Sequence, residues 1–322
     1  METTIDCQEN SQDAEKTTKI CTYMVRNYRG RFAPSPTGPL HQGSLVAALA
    51  SWLDARAHCG KWLIRIENID PPREQRGAAA EQIALLARLG MTSDEPILYQ
   101  SSRSAAYEAA LQQLGAAGRT FRCNCTRRLL TSDPADALAG AYPGTCRSRE
   151  VPPPAATRFL VRPGPVGFTD RACGWFAQNV EQTLGDFVVQ RADGLWAYQL
   201  AVIVDDAFQA ITDVVRGADL LDNTPRQMLL QQALGLPTPR YLHLPVVRDA
   251  AGRKLSKQTR ARPLDGKNAV GELEQAWSHL GFEPTGAGSI EDFQQLAISA
   301  WRRRWCQSEA VRSESAALQA RE

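Results

Sequence analysis

The sequence predicts an α/β fold built on a parallel sheet, which is split by an insertion and followed by a small helical region. Strand-like apolar segments alternate with segments of helix length in both halves of the chain, and this alternation favours a parallel sheet. After Thr120 the chain becomes rich in cysteine, proline and arginine, which indicates the insertion. With 322 residues the chain is long enough for two or three packed units.

The first predicted strand and helix flank a proline-rich turn. A strand is expected from Tyr28, and the apolar segment SLVAALASWLDARAH predicts a helix over 44–58, with Ser44 near its start as the cap. The elements predicted next are a strand over 61–67, a helix over 74–89 ended by Gly90, and a helix over 103–117 ended by Gly118.

The shifts in composition predict where the domains begin and end. Residues 121–165 show little periodicity and 168–189 favour strands, whereas 196–204 and 213–215 return to the α/β pattern. The predicted organisation is a disordered extension at 1–28, the first half of the sheet domain at 29–118, an insertion at 119–191, the second half at 192–261 and a helical region at 262–322.

The segment RFAPSPTGPLHQGS, residues 31–44, has the features of an anion site. Its prolines hold the backbone extended, and Gly38 allows it to turn. A strand, a tight turn and a helix N-terminus present free backbone N–H groups and the positive end of the helix dipole to a ligand. His41, just before the helix, can donate a hydrogen bond to a phosphate whose charge grows in a transition state.

A second motif, KLSKQ at 254–258, lies about two hundred residues further on. Lys257 would supply a flexible positive charge from the far side of the same anion site. Alone, the motif is better explained as a solvated loop, because charged loops are common. The order and separation of the two motifs are what favour a shared site.

Three cysteines and a tyrosine in the insertion predict a zinc site. Cys123 and Cys125 form a Cys-x-Cys pair, and Tyr142 is followed by Cys146. Zinc prefers four ligands in a tetrahedron, and a small insertion with little core gains stability from the metal. The four histidines lie elsewhere in the chain. Since tyrosine is a rare zinc ligand, water remains an alternative fourth ligand.

The overall charge does not indicate a nucleic-acid-binding protein. The net charge is formally +2, and arginines instead form local clusters, for example at 302–304. The N-terminal segment lacks the apolar core of a signal peptide, and the longest apolar runs are too short to cross a bilayer. The sequence therefore predicts a cytoplasmic protein with no membrane partner.

Together the two motifs resemble the ATP-handling signatures of class I aminoacyl-tRNA synthetases. The flank RFAPSPTGPLH narrows the resemblance to the glutamate and glutamine branch. The Cys-x-Cys and Tyr-x-x-x-Cys pattern matches the zinc site of the glutamyl-Q tRNA(Asp) synthetases, which are short paralogues of glutamyl-tRNA synthetase. The resemblance covers about 29–262 strongly and the C-terminal helices loosely. It implies a Rossmann-like catalytic domain and, with only about 60 residues after KLSKQ, no anticodon-binding domain.

The resemblance also implies the roles of individual residues. His41 and Lys257 would be catalytic, and Asn68 stands where the family usually has aspartate. ATP would be bound by His41, Gly43, Ser44, Lys254 and Lys257. Glutamate would be bound by Arg31, Phe32, Ala33, Pro34, Ser35, Glu67, Tyr198 and Arg216. Zinc would be bound by Cys123, Cys125, Tyr142 and Cys146.

These charges suit glutamate, because two arginines and one glutamate complement its two carboxylates and its ammonium. Without the resemblance, Arg216 would be read as a partner of Asp213 or Asp219, and Tyr198 as a core residue.

The activity implied is activation of L-glutamate with ATP and Mg²⁺, without tRNA, followed by transfer to the queuosine base of tRNA(Asp). One structural Zn²⁺ per chain and a monomeric enzyme are expected. The alternatives are a truncated glutamyl-tRNA synthetase that charges a tRNA 3′ end, a non-catalytic tRNA-binding paralogue, and a small-molecule nucleotidyltransferase. Retention of both His41 and Lys257 argues against the non-catalytic paralogue.

Overall fold

The structure is a computed structural model that describes residues 27–126, 141–246 and 263–306. Its helices and strands alternate along the first half of the chain, as predicted. In chain order they are β1 Arg29–Phe32, α1 Gln42–Ala57, β2 Lys61–Ile66, α2 Ala78–Arg88, β3 Leu98–Tyr99, α3 Ser104–Ala116, β4 Thr120–Cys123, β5 Ala156–Phe159, β6 Val166–Asp170, β7 Gly174–Gln178, α4 Val180–Thr183, β8 Phe187–Gln190, α5 Tyr198–Phe208, β9 Asp213–Gly217, α6 Thr224–Leu234, β10 Arg240–Leu244, α7 Ala269–His279 and α8 Ile290–Trp301.

Five parallel strands form the centre of the fold. β1, β2 and β3 pair in parallel in that order, and β9 pairs in parallel with β10. β1 lies beside β9, where the backbone N–H of Thr212 donates to the carbonyl of Arg29 at 2.9 Å. The spatial order is therefore β3-β2-β1-β9-β10, and the prediction of an α/β fold with a parallel sheet is confirmed.

Helices cover both faces of this sheet, so β2 is buried from Trp62 to Ile66 rather than on one face only. The indole N–H of Trp62 donates to Ser51 on α1 at 2.9 Å. Arg65, which points to the opposite face, reaches Asp206 on α5.

The helix after the proline-rich turn begins two residues earlier than predicted, and Ser44 is not its cap. His41 has extended backbone angles and caps the helix, because its side chain accepts the N–H of Ser44. The predicted strand at 61–67 and the helices ended by Gly90 and Gly118 are present, and both glycines have positive φ.

The C-terminal helices pack on α1 through buried tryptophans. Trp277 and Trp301 are buried in the same core as Trp52 of α1. The indole N–H of Trp301 donates to the buried carboxylate of Asp54 at 2.9 Å, which fixes α8 against α1. No helix among the described residues has both the length and the apolar character needed to span a membrane.

The segment predicted as an insertion contains two small antiparallel sheets. One has the order β4-β5-β8, and the other is the hairpin of β6 and β7. The hairpin packs on the central sheet, since Phe168 shares a buried cluster with Val214 of β9 and Tyr241 of β10. Part of the segment 119–191 thus lies against β9 and β10 of the central sheet.

Candidate active site

A cavity of about 340 Å³ opens at the carboxyl ends of the parallel strands, the usual ligand-binding edge of such sheets. It is bordered by the residues after β1 and β2, the ends of β9 and β10, and the N-terminus of α1. Eleven residues predicted to bind ATP or glutamate line it: Arg31, Phe32, Ala33, Pro34, Ser35, His41, Gly43, Ser44, Glu67, Tyr198 and Arg216. The structure therefore brings together all the predicted ATP- and glutamate-binding residues that it describes.

The N-terminus of α1 forms one wall of the cavity. Nδ1 of His41 accepts the backbone N–H of Ser44 at 3.3 Å, and Nε2 lies 3.3 Å from the Ser44 hydroxyl. Lys254 and Lys257 lie outside the described residues. The described residues on either side of them border this wall, since Val246 lines the cavity and Pro263 forms a β-bridge with His41.

A buried network of four charges holds the floor of the cavity. Asp206 accepts from Nε and Nη2 of Arg31 at 3.1 and 3.3 Å and from Nη1 of Arg65 at 2.7 Å. Nη2 of Arg65 then donates to Glu67 at 3.2 Å. Two arginines and two carboxylates thus fix one another where Arg31 and Glu67 face the cavity.

Burial affects the two carboxylates of this network differently. Burial raises the pKa of Glu67 above its usual value, although Arg65 and Arg31 oppose the shift. Asp206 is also buried, but Arg31 and Arg65 outweigh that effect and lower its pKa. Asp206 is therefore the carboxylate of the network that stays ionised most readily. A positively charged ligand group beside Glu67 would favour ionisation of Glu67 as well.

Arg216 lines the cavity and has one guanidinium nitrogen without a partner among the described residues. It is 5 % exposed, and its Nε and Nη2 donate to His243 at 3.0 Å and to Thr224 at 2.7 Å. Its Nη1 is buried with no hydrogen-bond partner among the described residues. Asp213, one of the partners considered for Arg216, instead pairs with Arg240 at 2.7 Å. A buried donor without a partner is costly, which makes Nη1 a position for an anionic ligand.

Sequence reasoning missed Arg65, Asp206 and His243. Arg65 on β2 and Asp206 on α5 hold Arg31 and Glu67, and His243 on β10 holds Arg216 on the neighbouring strand. The available signal was a pair of aspartates, 205–206, within a helix that otherwise reads as apolar. Buried charges of this kind require a partner.

Asn68 contacts Ser101 rather than the cavity chemistry described above. Its amide NH₂ donates to the Ser101 hydroxyl at 2.9 Å, and its carbonyl accepts the Ser101 N–H at 2.9 Å. An aspartate could accept from the same N–H and hydroxyl. The asparagine that replaces the family's usual aspartate thus affects a contact between the residues after β2 and the turn before α3.

The predicted metal ligands also meet. The Sγ atoms of Cys123, Cys125 and Cys146 all lie within 4.8 Å of one another. The Tyr142 hydroxyl is 3.4 Å from Sγ of Cys123 and accepts the backbone N–H of Cys146 at 2.9 Å. Three converging thiols with an adjacent phenol fit a tetrahedral zinc ion, so this cluster could hold one.

The whole α/β region matches a known protein family. The family described as "tRNA synthetases class I (E and Q), catalytic domain" matches residues 27–150 and 153–276. A protein of Burkholderia orbicola named glutamyl-Q tRNA(Asp) synthetase is 54 % identical over 297 residues, which is 88 % of this chain and 98 % of the relative. A protein of the same name from Ralstonia nicotianae is 52 % identical over 87 % of this chain and 92 % of the relative.

Solved structures of longer proteins share the fold. A glutamate tRNA ligase from Elizabethkingia meningosepticum, solved in complex with its amino acid, aligns with a TM-score of 0.64 and 30 % identity over 72 % of this chain. A glutamate-tRNA synthetase from Elizabethkingia anophelis gives the same TM-score and identity. This chain spans about half of those two proteins, 52 % and 53 % respectively.

The family match covers most of the chain, and the similarity to the two bacterial relatives extends over nearly their whole length. The cavity that carries the family motifs lies at the ligand-binding edge of the sheet. The chain belongs to the class I tRNA synthetases of the glutamate and glutamine branch, a family of ligases, and within that branch to the glutamyl-Q tRNA(Asp) synthetases.

Proposed function

We propose that this protein activates L-glutamate with ATP, without tRNA, and then transfers the glutamyl group to the queuosine base of tRNA(Asp). The observation that carries the proposal is one cavity in which Arg31, Glu67 and Arg216 lie with His41. The names of the bacterial relatives and of the solved glutamate ligases support the same substrate.

The charges of the cavity complement glutamate. Nη1 of Arg216, which has no partner in the described part of the chain, would bind one carboxylate, and Arg31, held by Asp206, would bind the other. Glu67 lines the same cavity and would bind the ammonium group, and the Tyr198 hydroxyl would orient the ligand. Aspartate should be rejected, because its shorter side chain would leave one buried arginine unpaired.

Activation joins the glutamate α-carboxylate to the α-phosphorus of ATP and releases pyrophosphate. The N-terminus of α1 would bind phosphate oxygens through its backbone N–H groups, and His41 would donate to the phosphate as its charge grows. Lys257, with Lys254, would stabilise the same charge from the opposite side. Mg²⁺ would accompany ATP and neutralise its phosphate charge.

The acceptor is the second part of the proposal. With labelled glutamate and ATP, the protein should label tRNA(Asp) from cells that make queuosine and leave tRNA(Asp) from queuosine-deficient cells unlabelled. Removal of the 3′-terminal adenosine from the queuosine-containing tRNA should not reduce labelling. Nuclease digestion followed by chromatography would identify the labelled nucleotide.

Two other functions would give different results in that experiment. Label on the terminal adenosine, lost when that nucleotide is removed, would replace the proposal with ordinary aminoacylation by a truncated glutamyl-tRNA synthetase. A non-catalytic tRNA-binding paralogue would bind the tRNA without consuming ATP. The complementary charges around one cavity favour catalysis over binding alone.

Zinc content is the prediction for the cysteine cluster. Purified protein should contain about one zinc per chain, held by Cys123, Cys125 and Cys146, with Tyr142 close enough to ligate. Cys125→Ser should lower the zinc content measured by inductively coupled plasma mass spectrometry. It should also loosen the β4-β5-β8 sheet while the central sheet stays folded.

Cys173→Ser is the matched control for the zinc measurement, because Cys173 is a free cysteine outside this cluster. It should leave the zinc content unchanged. Unchanged zinc content in a Cys123→Ser and Cys125→Ser double variant would show that the assignment is wrong.

A further inference from the structure

A buried chain of hydrogen bonds runs from the β6–β7 hairpin to Arg216. Asp170, at the end of β6, lies 2.7 Å from Nδ1 of His243 on β10, and both side chains are fully buried. The other ring nitrogen, Nε2, lies 3.0 Å from Nε of Arg216. An aspartate in the predicted insertion is thus connected, through a histidine, to the arginine that borders the cavity.

The partners of His243 determine which ring nitrogen carries the proton. An arginine Nε–H can only donate, so Nε2 of His243 must be the acceptor, and Nδ1 must carry the hydrogen that is donated to Asp170. The Thr224 hydroxyl accepts from Nη2 of Arg216 at 2.7 Å and lies 3.2 Å from Nε2 of His243. Burial lowers the pKa of His243, with a further contribution from Arg216 and against the opposing effect of Asp170, so the net shift favours the neutral ring.

Asp170 is itself held in a fixed orientation. Its Oδ1 accepts the backbone N–H groups of Ala172 at 2.9 Å and Cys173 at 2.8 Å, which leaves Oδ2 facing the His243 ring. Burial alone would raise the pKa of Asp170, but hydrogen bonds from His243 and from these two N–H groups lower it. The backbone N–H of His243 also donates to Oδ2 at 3.1 Å, so the ionised carboxylate is held in one orientation in which Oδ2 accepts from Nδ1.

We propose that Asp170 and His243 are positioning residues that fix the side chain of Arg216, so that its Nη1 faces the incoming amino-acid carboxylate. Both Nε and Nη2 of Arg216 are occupied by this chain of contacts, and Nη1 is the nitrogen without a partner in the described part of the chain. The proposal rests on the proposed function in one respect, which is that the ligand of Arg216 is a carboxylate of glutamate.

Asp170→Asn is the sharpest test, because it is isosteric and its effect on the ring is predictable. With the amide oxygen toward the N–H groups of Ala172 and Cys173, the amide NH₂ replaces Oδ2 and donates to Nδ1 of His243. The backbone N–H of His243, 3.1 Å from Oδ2, then keeps only its 3.3 Å contact with the amide oxygen. The proton then moves to Nε2, where it opposes the Nε–H of Arg216. An aspartate-to-asparagine change is known to impose the wrong histidine tautomer in this way.

We expect the variant to change the KM for glutamate but not the KM for ATP. In glutamate-dependent pyrophosphate–ATP exchange, Asp170→Asn should raise the KM for glutamate on the order of 10- to 100-fold, the range expected for a lost hydrogen bond to a charged group. The KM for ATP should stay within about twofold, because ATP is expected at the α1 end of the cavity. Nitrogen-15 NMR of histidine-labelled protein, which has four histidines, should show the hydrogen of His243 on Nδ1 in the wild type and on Nε2 in the variant.

Asp186→Asn is the matched control. Asp186 is equally buried, pairs with Arg147 at 2.7 Å, accepts a backbone N–H from Val161, and does not line the cavity. It should alter stability without changing the KM for glutamate. An equal rise in this KM for both variants would overturn the proposal, because it would reflect loss of folding rather than positioning.

A pair of variants at His243 provides a second test if Asp170→Asn does not fold. His243→Leu removes the acceptor for Arg216 and should raise the KM for glutamate, whereas His243→Gln retains a carbonyl oxygen that can accept from Nε and should raise it less. Equal KM values for wild type, Asp170→Asn and His243→Leu would overturn the inference alone. Absence of glutamate-dependent exchange in the wild type would instead overturn the proposed function.

Discussion

Replacing His41 with alanine is expected to slow glutamate-dependent pyrophosphate–ATP exchange, measured without tRNA, on the order of a hundredfold, the usual loss when one transition-state donor is removed. His41 lies at the N-terminus of α1 on the wall of the cavity. The KM values should change less than kcat, because the imidazole is proposed to act on charge that develops late. Lys257→Ala should cause a loss of similar size.

His41→Asn separates the catalytic role from the structural one. His41 also caps α1 through the N–H of Ser44, and asparagine is a strong N-cap residue that can replace this contact. If the imidazole stabilises phosphate charge, the alanine and asparagine variants should be slowed equally although only the alanine variant loses the cap. Recovery of the exchange rate in His41→Asn would mean that His41 acts only through the helix.

Replacing Asp206 is expected to cause a large loss of folding stability. Asp206→Asn should lower the free energy of unfolding by about 3–5 kcal/mol, because removal of one charge from a buried ion pair leaves its partner uncompensated. Arg65 would keep its contact with Glu67, whose pKa burial already raises, and a weaker electrostatic interaction with Asp205. The stability can be measured by urea unfolding followed through tryptophan fluorescence.

Glu95→Gln is the matched control for Asp206→Asn. Glu95 also pairs with two basic residues, Arg29 and Lys61, but its side chain is 30 % exposed. Water screens such a pair, so the loss of stability should be about 1 kcal/mol or less. If both variants lost the same stability, the charge on Asp206 would not be the element that holds the cavity floor.

Local sequence patterns were enough to predict the strand, turn and helix that border the site. The turn RFAPSPTGPLH lies within one short stretch of chain, so its strand, turn and helix could be predicted together, and His41 lies at the helix N-terminus as expected. Parallel strands bring their carboxyl ends to one edge of the sheet. This arrangement explains how Arg31 and Arg216, which the family resemblance assigned to one site, meet at one cavity.

The supporting residues could not be predicted, because their roles depend on which elements pack together. Asp205 and Asp206 are adjacent in sequence, yet Asp205 accepts from Tyr107 of α3 whereas Asp206 accepts from Arg65 of β2. Neighbouring residues of a helix point in directions about 100° apart and so face different elements. The sequence shows two charges in an apolar helix but not their partners, which lie 98 and 141 residues away.

The α/β class, the two motifs, the described cavity residues and the cysteine cluster could be predicted before folding was considered, because each depends on local pattern or on a resemblance carried by particular residues. The way in which Arg216 is held could not, because it depends on how distant elements pack. The strand order places His243 opposite Arg216 in the register of β9 and β10, and the hairpin places Asp170 against His243 from 73 residues away. Buried polar groups must find partners wherever packing brings them, and packing is a property of the whole fold.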